Sequence, residues 1–247
     1  MGGKKLNQKK YAICFALLSA TCSVNAMNNI NVSPSGSSGA AWIYGDGADV
    51  IGGKSALGQT FSTGAGTDTQ LKSMSFWVQA DLDDPGLPSV KAALFKWEDG
   101  ATGSTGRVVG EALYWSTLRQ ITTGAATRLV FDTNVNLNKS SKYIAFLTSL
   151  PVQDGDMDRL TLLTNDWVNN PNPINGEMFF TGWVDAANTS TLSSATWRHF
   201  ADNSKKVDLA FSATFANPVP EPETYAMMLS GLGVVGWSLR KRKLAMH

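Results

Sequence analysis

Val207-Asp208-Leu209-Ala210-Phe211-Ser212-Ala213-Thr214-Phe215 is the stretch that decides the fold class. Every second residue in it is apolar, and the residues between are small or polar. This period of two is typical of a β-strand that places one face on a hydrophobic core. A second stretch has the same pattern, because Met74, Phe76, Val78 and Ala80 alternate with Ser73, Ser75, Trp77 and Gln79.

Further strand candidates follow along the chain, separated by turn-forming residues such as Asp84-Pro85-Gly86 and Asn175-Gly176. Residues 90–97 and 143–148 are largely apolar on both faces, as in strands at the centre of a sheet. The shorter candidates are Trp42–Tyr44, Gly58–Ser62, Ala112–Ser116, Arg128–Phe131, Leu160–Thr164, Met178–Trp183 and Thr196–Phe200. We find no pattern of an amphipathic helix in this region. Many short strands with turn signals between them predict an all-β fold, an antiparallel β-sandwich of the jelly-roll type.

The first 26 residues have the parts of a secretory signal peptide. Four lysines within residues 4–10 precede an apolar stretch at residues 11–20, and small residues at its end predict cleavage after Ala26. Lipoprotein processing at Cys22 is an alternative, although Thr21 stands where Gly or Ala is usual. The sequence therefore predicts an exported protein.

Export and cleavage would leave a chain without cysteine, because Cys14 and Cys22 are its two cysteines. We therefore expect no disulfide and no thiolate chemistry in the mature protein. Residues 27–40 are rich in Asn, Ser and Gly, which predicts a flexible arm. Residues 41–217 follow as the ectodomain, long enough for one domain with a sizeable core.

Residues 218–247 form a C-terminal segment of different character. Pro220 and Pro222, on either side of Glu221, fix two φ angles and remove two amide donors, so we expect an extended, exposed peptide there. Residues 225–239 carry no charge, but a helix of this length spans about 22 Å, against about 30 Å of hydrocarbon in a bilayer. A basic stop that can snorkel and favours the cytoplasmic side follows, consisting of Arg240, Lys241, Arg242 and Lys243.

The order of these features resembles the sorting segment of PEP-CTERM proteins, the substrates of exosortase in Gram-negative bacteria. Pro220, Glu221 and Pro222 match the motif that names the family, and the Gly-containing apolar stretch and the basic end follow it. The resemblance implies a precursor anchored in the inner membrane, cleavage by exosortase, and delivery to the cell surface or extracellular matrix. It also implies a role in exopolysaccharide-associated or biofilm material. The succession of strands is similar to the jelly-roll ectodomains of many of these proteins. The alternative for the tail is a buried helix of a soluble domain with a solvated basic end.

Charge excludes one class of partner. Between Met27 and Val219 there are 13 Lys and Arg against 18 Asp and Glu, a net charge of −5. Such a region offers no basic surface to a phosphate backbone, so we expect no nucleic-acid partner.

Catalytic groups are scarce in the same region. His199 is its single histidine, and the sequence contains no zinc-binding pair of histidines and no Gly-x-Ser-x-Gly elbow. We therefore expect no enzymatic activity. Two alternatives stay open: a Ser–His–Asp arrangement through His199, and glycoside hydrolysis by two acids. The glutamates available for the second are Glu98, Glu111 and Glu177.

Asp154, Asp156 and Asp158 alternate in a loop-like stretch and could place three carboxylates around Ca²⁺. The spacing imitates an EF-hand, but Arg159 stands where that loop needs Gly and Asn165 where it needs Glu. A calcium site of another kind and a solvated acidic turn are the two interpretations, and no other cofactor is expected. A second acidic cluster with the same two interpretations consists of Asp81, Asp83 and Asp84.

Tryptophans are the candidates for ligand contact, because exposed rings can stack on sugar rings. Trp77 is out of phase with the apolar face of its strand, and Trp167 lies among amide-bearing residues. We name Trp77, Trp167 and Trp183 as candidate glycan contacts, the alternative being that such rings fill the core. The sequence thus predicts an exported, non-catalytic surface or matrix protein. A carbohydrate-binding module is the first alternative and a glycoside hydrolase the second.

Overall fold

The computed structural model describes residues 29–34, 40–44, 54–65, 69–80, 88–149, 159–165, 176–182, 190–199, 201–202, 205–216 and 226–234. The chain divides into two compact units, residues 26–219 and residues 1–25 with 220–247. The predicted signal peptide and its cleavage residue Ala26 lie outside the described residues.

Within the described part of residues 26–219 the chain forms fifteen strands and one short helix. The strands are β1 Ile30–Asn31, β2 Ala40–Tyr44, β3 Lys54–Ser62, β4 Thr69–Ala80, β5 Ser89–Asp99, β6 Thr105–Trp115, β7 Arg119–Gln120, β8 Thr127–Leu137, β9 Lys142–Thr148, β10 Arg159–Leu163, β11 Met178–Gly182, β12 Trp197–His199, β13 Ala201–Asp202, β14 Lys205–Lys206 and β15 Phe211–Ala216. The helix α1 is Ser190–Ser194. The prediction of an all-β, antiparallel fold is confirmed.

The first sheet is built around β4. β8 pairs with one edge of β4, while β15 and β10 follow one another along its other edge. β1 then pairs with β15, and β2 pairs with β10. All of these pairings are antiparallel, and β8 is left at one side of the sheet.

The second sheet closes on itself. Its strands pair in the order β6, β12, β11, β3, β9 and β5, and β5 pairs again with β6. This ring of six strands has an inside and an outside face, and side chains alternate between them. The prediction of a sandwich did not include this closure, because it depends on pairings between strands far apart in the sequence.

Two hydrophobic cores result. The larger lies between the two sheets and includes Phe76 and Phe211 from the first sheet and Phe61 and Leu94 from the outside face of the second. We call it the inter-sheet core. The smaller fills the inside of the closed sheet, and we call it the inner core. Its buried members are Ala56, Ala93, Phe95, Trp97, Val108, Ile144, Phe146, Phe179, Leu192 and Trp197.

The two cores explain why β5 and β9 are apolar on both faces. In β9, Tyr143, Ala145 and Leu147 enter the inter-sheet core, and the alternate residues Ile144 and Phe146 enter the inner core. The prediction that these strands are central is confirmed.

Two expectations need correction. Residues 27–40 were expected to be a flexible arm, but Ile30 and Asn31 pair with β15, and Val32 is buried in the inter-sheet core. Burial of the apolar side chains of Ile30 and Val32 offsets the loss of conformational entropy when this polar segment becomes ordered. No helix was expected in the ectodomain, yet α1 forms and buries Leu192 in the inner core. A helix of five residues is too short for its hydrophobic periodicity to be visible in the sequence.

Candidate functional site

Polar side chains converge at one end of the closed sheet. β5 and β12 end there, and β9 and β11 begin there, as their antiparallel pairings require. Asp99 and Lys142 alternate in phase with residues of the inner core, and so do Glu177 and His199. These four side chains therefore face the mouth of the closed sheet, and we call them the rim.

One half of the rim is a hydrogen-bonded trio. The Trp97 indole donates from Nε1 to Asp99 Oδ1 at 2.7 Å. The Lys142 ammonium donates to the same carboxylate, at 2.7 Å to Oδ1 and 2.9 Å to Oδ2. Since Trp97 is buried and its ring lies 4.6 Å from that of Phe179, the carboxylate is held directly above the aromatic inner core.

The other half is an acid–imidazole pair. His199 Nε2 lies 3.3 Å from Glu177 Oε2, and only 13% and 16% of the two side chains is exposed. Glu177 is fixed by Thr60, whose Oγ1 accepts from the Glu177 N–H at 2.8 Å and donates to its carbonyl at 3.0 Å. The His199 N–H donates to the Ser104 carbonyl at 2.9 Å, and its ring packs on the edge of Phe179. The pair is thus positioned by Thr60 of β3, by the Ser104 carbonyl before β6 and by the ring of Phe179 in β11.

The rim brings together groups that the sequence suggested only in part. Glu177 and His199 were named as separate candidates, and the structure places the imidazole of one 3.3 Å from the carboxylate of the other. Asp99 and Lys142 were not named. The signal that could have found Asp99 is its spacing of two from Trp97 in a strand with alternating faces. Two carboxylates, an ammonium and an imidazole over aromatic rings can bind hydroxyl groups by hydrogen bonding.

The three candidate glutamates do not converge. Glu98 lies on the opposite face of β5 from Asp99, is exposed, and accepts from Arg107 Nε at 2.8 Å and Nη2 at 2.6 Å. Glu111 is exposed in an irregular part of β6, where residues 110–113 bulge out opposite Phe95. Only Glu177 therefore belongs to the rim.

Trp77 lies on the face of β4 that points away from the inter-sheet core. Its neighbours Phe76 and Val78 are buried, whereas Trp77 is partly exposed. It stands opposite Arg128 of β8, whose Nε donates to Ser75 Oγ at 2.9 Å. Contact with a glycan stays a prediction for Trp77.

The remaining tryptophans lie in different environments. Trp97 and Trp197 are buried in the inner core, and Trp115 packs against it. The other two glycan candidates, Trp167 and Trp183, lie outside the described residues. The candidate calcium ligands Asp81, Asp83, Asp84, Asp154, Asp156 and Asp158 also lie outside them. Within the described ranges there is no group of three or more His, Cys, Asp or Glu side chains that could hold a metal ion.

Residues 226–234 of the second unit form a helix, which we call α2. Its large apolar side chains are exposed, with Met227 at 77%, Leu229 at 68% and Val234 at 65%. These exposed side chains contradict the alternative that the tail is a helix buried in a soluble domain. None of the helices in the described part of the chain has both the length and the apolar character to cross a membrane. The motif residues Pro220, Glu221 and Pro222 and the basic residues Arg240, Lys241, Arg242 and Lys243 lie outside the described residues.

Comparison with known proteins identifies the tail. Residues 218–243 match the family model of the PEP-CTERM protein-sorting motif, which confirms the resemblance drawn from the sequence. The motif indicates an exported protein with a membrane-anchored precursor that exosortase processes. No curated protein matches the sequence.

One solved structure is similar, titled "Structure of infectious bursal disease virus Gt strain". It has 12% sequence identity and a TM-score of 0.28, and the match covers 85% of this chain and 48% of the viral chain. The chain thus spans about half the length of that protein. At this TM-score the likeness carries no argument about fold or function.

Proposed function

We propose that the protein is a non-catalytic component of the cell surface or extracellular matrix of a Gram-negative bacterium, associated with exopolysaccharide or biofilm material. The observation that carries the proposal is the sorting motif at residues 218–243. Its signal peptide is cleaved after Ala26, and its precursor stays in the inner membrane through the apolar segment until exosortase cuts near Pro220–Pro222. The ectodomain that remains is a jelly-roll-like β-domain.

Two features of the ectodomain support a role without catalysis. The candidate glutamates are dispersed, since Glu98 pairs with Arg107 at the surface and Glu111 lies in an exposed bulge. The four rim side chains contact one another in two pairs, Lys142 with Asp99 and His199 with Glu177, which supports a structural role at the mouth of the closed sheet.

Intact-mass analysis of the cell-surface form tests export and processing together. We expect a chain that begins at Met27 and lacks Trp237 and Lys243, because both ends are removed. The same strain without its exosortase should accumulate the membrane-bound precursor. A surface form that retains residues 225–243 would contradict the proposal.

Carbohydrate binding is a second candidate, supported by the position of Trp77. The ring is partly exposed on a sheet face that also carries the exposed Gln79 and Arg128, and these two side chains offer hydrogen-bond donors and an acceptor beside an aromatic surface. This combination suits a pyranose ring, whose faces are apolar and whose edges are hydroxylated.

Affinity electrophoresis in gels that contain the host's own exopolysaccharide tests this candidate. We expect Trp77→Ala to abolish retardation and Trp77→Phe to keep part of it, because Phe preserves a stacking face. Leu118→Ala is the control, since Leu118 is also exposed but lies outside β4. Equal retardation of Trp77→Ala and the wild type would remove the candidate.

A glycoside hydrolase is the third candidate, and a panel of polysaccharides tests it. We expect no hydrolysis by the wild-type protein. Hydrolysis that disappears in Glu177→Gln but persists in Glu111→Gln would contradict a non-catalytic role and would place the activity at the rim.

Calcium is the one cofactor that we propose for testing, at Asp154, Asp156 and Asp158. Calorimetric titration with Ca²⁺ should show binding heat that is lost in Asp156→Asn if the loop is a site. The absence of heat in the wild-type protein would identify the loop as a solvated turn.

A further inference from the structure

β8 forms a long edge of the first sheet. It pairs with β4 from Thr127 to Leu137, and the part of the chain that the structure describes contains no strand paired with its other side. An edge strand presents a row of backbone donors and acceptors that another strand can use. β8 therefore has the backbone requirements for pairing with a further chain.

The side chains along this edge are incompletely covered. Val130 is 45% exposed, and among the described residues of the ectodomain few large apolar side chains are as exposed. Leu129 and Val135 pack against the inter-sheet core but are only partly buried. A strand laid along β8 would remove part of this apolar surface from water.

The sequence of β8 is complementary to itself in one antiparallel register. If two copies pair about Val130, Val130 lies opposite Val130, and Arg128 of each copy lies opposite Asp132 of the other. The two-fold symmetry creates this charge pair twice. A register centred on Asp132 would instead place two carboxylates opposite each other, which is destabilising.

The regular pairing of β8 with β4 ends near residue 133, which is also the last residue of the proposed pairing about Val130. Asn134 has a φ of 50°, and the register with β4 is irregular near it. Thr133 Oγ1 is occupied by the Leu71 carbonyl at 2.8 Å. Arg128 uses Nε for Ser75 and keeps both Nη groups for an additional acceptor. Residues 127–133 thus form the regular part of the edge, centred on Val130.

We propose that two copies of this protein associate through β8, paired antiparallel about Val130, so that the first sheets of two ectodomains form one continuous sheet. We name a second copy as the partner because the apolar and charged positions of the segment match when it faces itself. Arg128 and Asp132 fix the register.

Disulfide cross-linking of the full chain tests the two-fold register. In a Cys14→Ser, Cys22→Ser background, Val130→Cys should form a covalent dimer under mild oxidation in detergent. Position 130 lies on the symmetry axis, so its cysteines face each other. Val109→Cys is the matched control, because Val109 is a similarly exposed valine on β6. A yield for Val130→Cys no higher than for the control would overturn the proposal.

A charge exchange tests the same interface without cysteine. Arg128→Asp and Asp132→Arg each create two like-charge contacts, and each should weaken dimerisation by about tenfold. The double variant Arg128→Asp, Asp132→Arg should restore it. The readout is the sedimentation of the detergent-solubilised full chain, with tryptophan fluorescence as a check of folding. A wild-type chain that sediments as a monomer, or single variants that dimerise like the wild type, would overturn the proposal.

Discussion

Gln59 of β3 is joined by buried hydrogen bonds to the segment that precedes β15. Its Nε2 donates to Asp208 Oδ1 at 2.8 Å, and its Oε1 accepts from the Leu209 N–H at 2.8 Å. We expect Gln59→Leu to lower the free energy of unfolding by about 2–4 kcal/mol, because a buried carboxylate and a buried amide each lose a partner. Urea unfolding followed by tryptophan fluorescence measures it.

Gln79→Leu is the control for that substitution. Gln79 is exposed on β4, so the same change of side chain should alter the unfolding free energy by less than about 0.5 kcal/mol. If both variants lost the same free energy of unfolding, the buried hydrogen bonds of Gln59 would not be the cause of the loss.

Among single residues, Tyr114 makes the folding stability depend on pH in the alkaline range. Burial raises the pKa of Tyr114 above its usual 10.0, Asp132 raises it further, and Arg119 opposes both. Between the unfolded and folded pKa values the folded state binds more protons, so stability falls as pH rises from about 10. We expect Tyr114→Phe to make the alkaline loss of stability smaller. Urea midpoints at pH 9 and pH 11 check it, and an unchanged difference between the two would contradict it.

Individual positions differ in how far the sequence could predict them. The alternation in β4 correctly separates buried Phe76 from partly exposed Trp77. The same rule places Gln59 in phase with Leu57 and Phe61, and it is indeed buried. Burial of Gln59 is possible because Asp208 accepts its hydrogen bond. The pattern could not predict this partner, since Asp208 is 149 residues away in the sequence.

Elements were predictable where their pattern is local. β15 and β4 follow from alternation, and β5 and β9 from apolar residues on both faces. Extents were less accurate: the prediction over Arg128–Phe131 covers only the first part of β8, which runs to Leu137. Closure of the second sheet was not predictable, since it results from β12 pairing with β6 and β11, which no local feature specifies.

The contact of β3 with the start of β11 gives a prediction at the scale of elements. A Cβ at Gly176 would overlap the backbone oxygen of Thr60, so no side-chain adjustment can relieve the clash. We expect Gly176→Ala to cost about 1–3 kcal/mol, as in other overpacked sites, and to disturb Glu177 in the rim. Chemical unfolding measures the loss.

Gly182 is the matched control at the other end of β11. A Cβ at Gly182 would meet no atom within 4 Å. Gly182→Ala should therefore change stability by less than about 0.5 kcal/mol. If it destabilised the protein as much as Gly176→Ala, the close approach of β3 and β11 would not be the cause.

At the scale of the whole molecule, the sorting segment and the rim differ in what specifies them. The sorting segment is a linear signal: a proline motif, an uncharged stretch and a basic end are contiguous, so the sequence alone identifies them. The rim joins Asp99, Lys142 and His199 from three strands with Glu177, the residue before β11. Only the closed sheet brings them together, which is why sequence reasoning found half of the rim and did not connect it.

A linear signal can be removed without unfolding the domain that precedes it, and this gives the last prediction. A chain that ends at Asn217 retains β15 and loses residues 218–243. We expect it to leave the membrane fraction and to miss the destination of the full-length protein, because neither the apolar stretch nor the exosortase motif remains. The control is a chain that ends at Lys243, which keeps the whole matched segment and should behave like the full-length protein. Fractionation and immunoblotting of both chains measure the outcome. Identical destinations for the chain ending at Asn217 and the full-length protein would mean that the ectodomain alone determines where the protein goes.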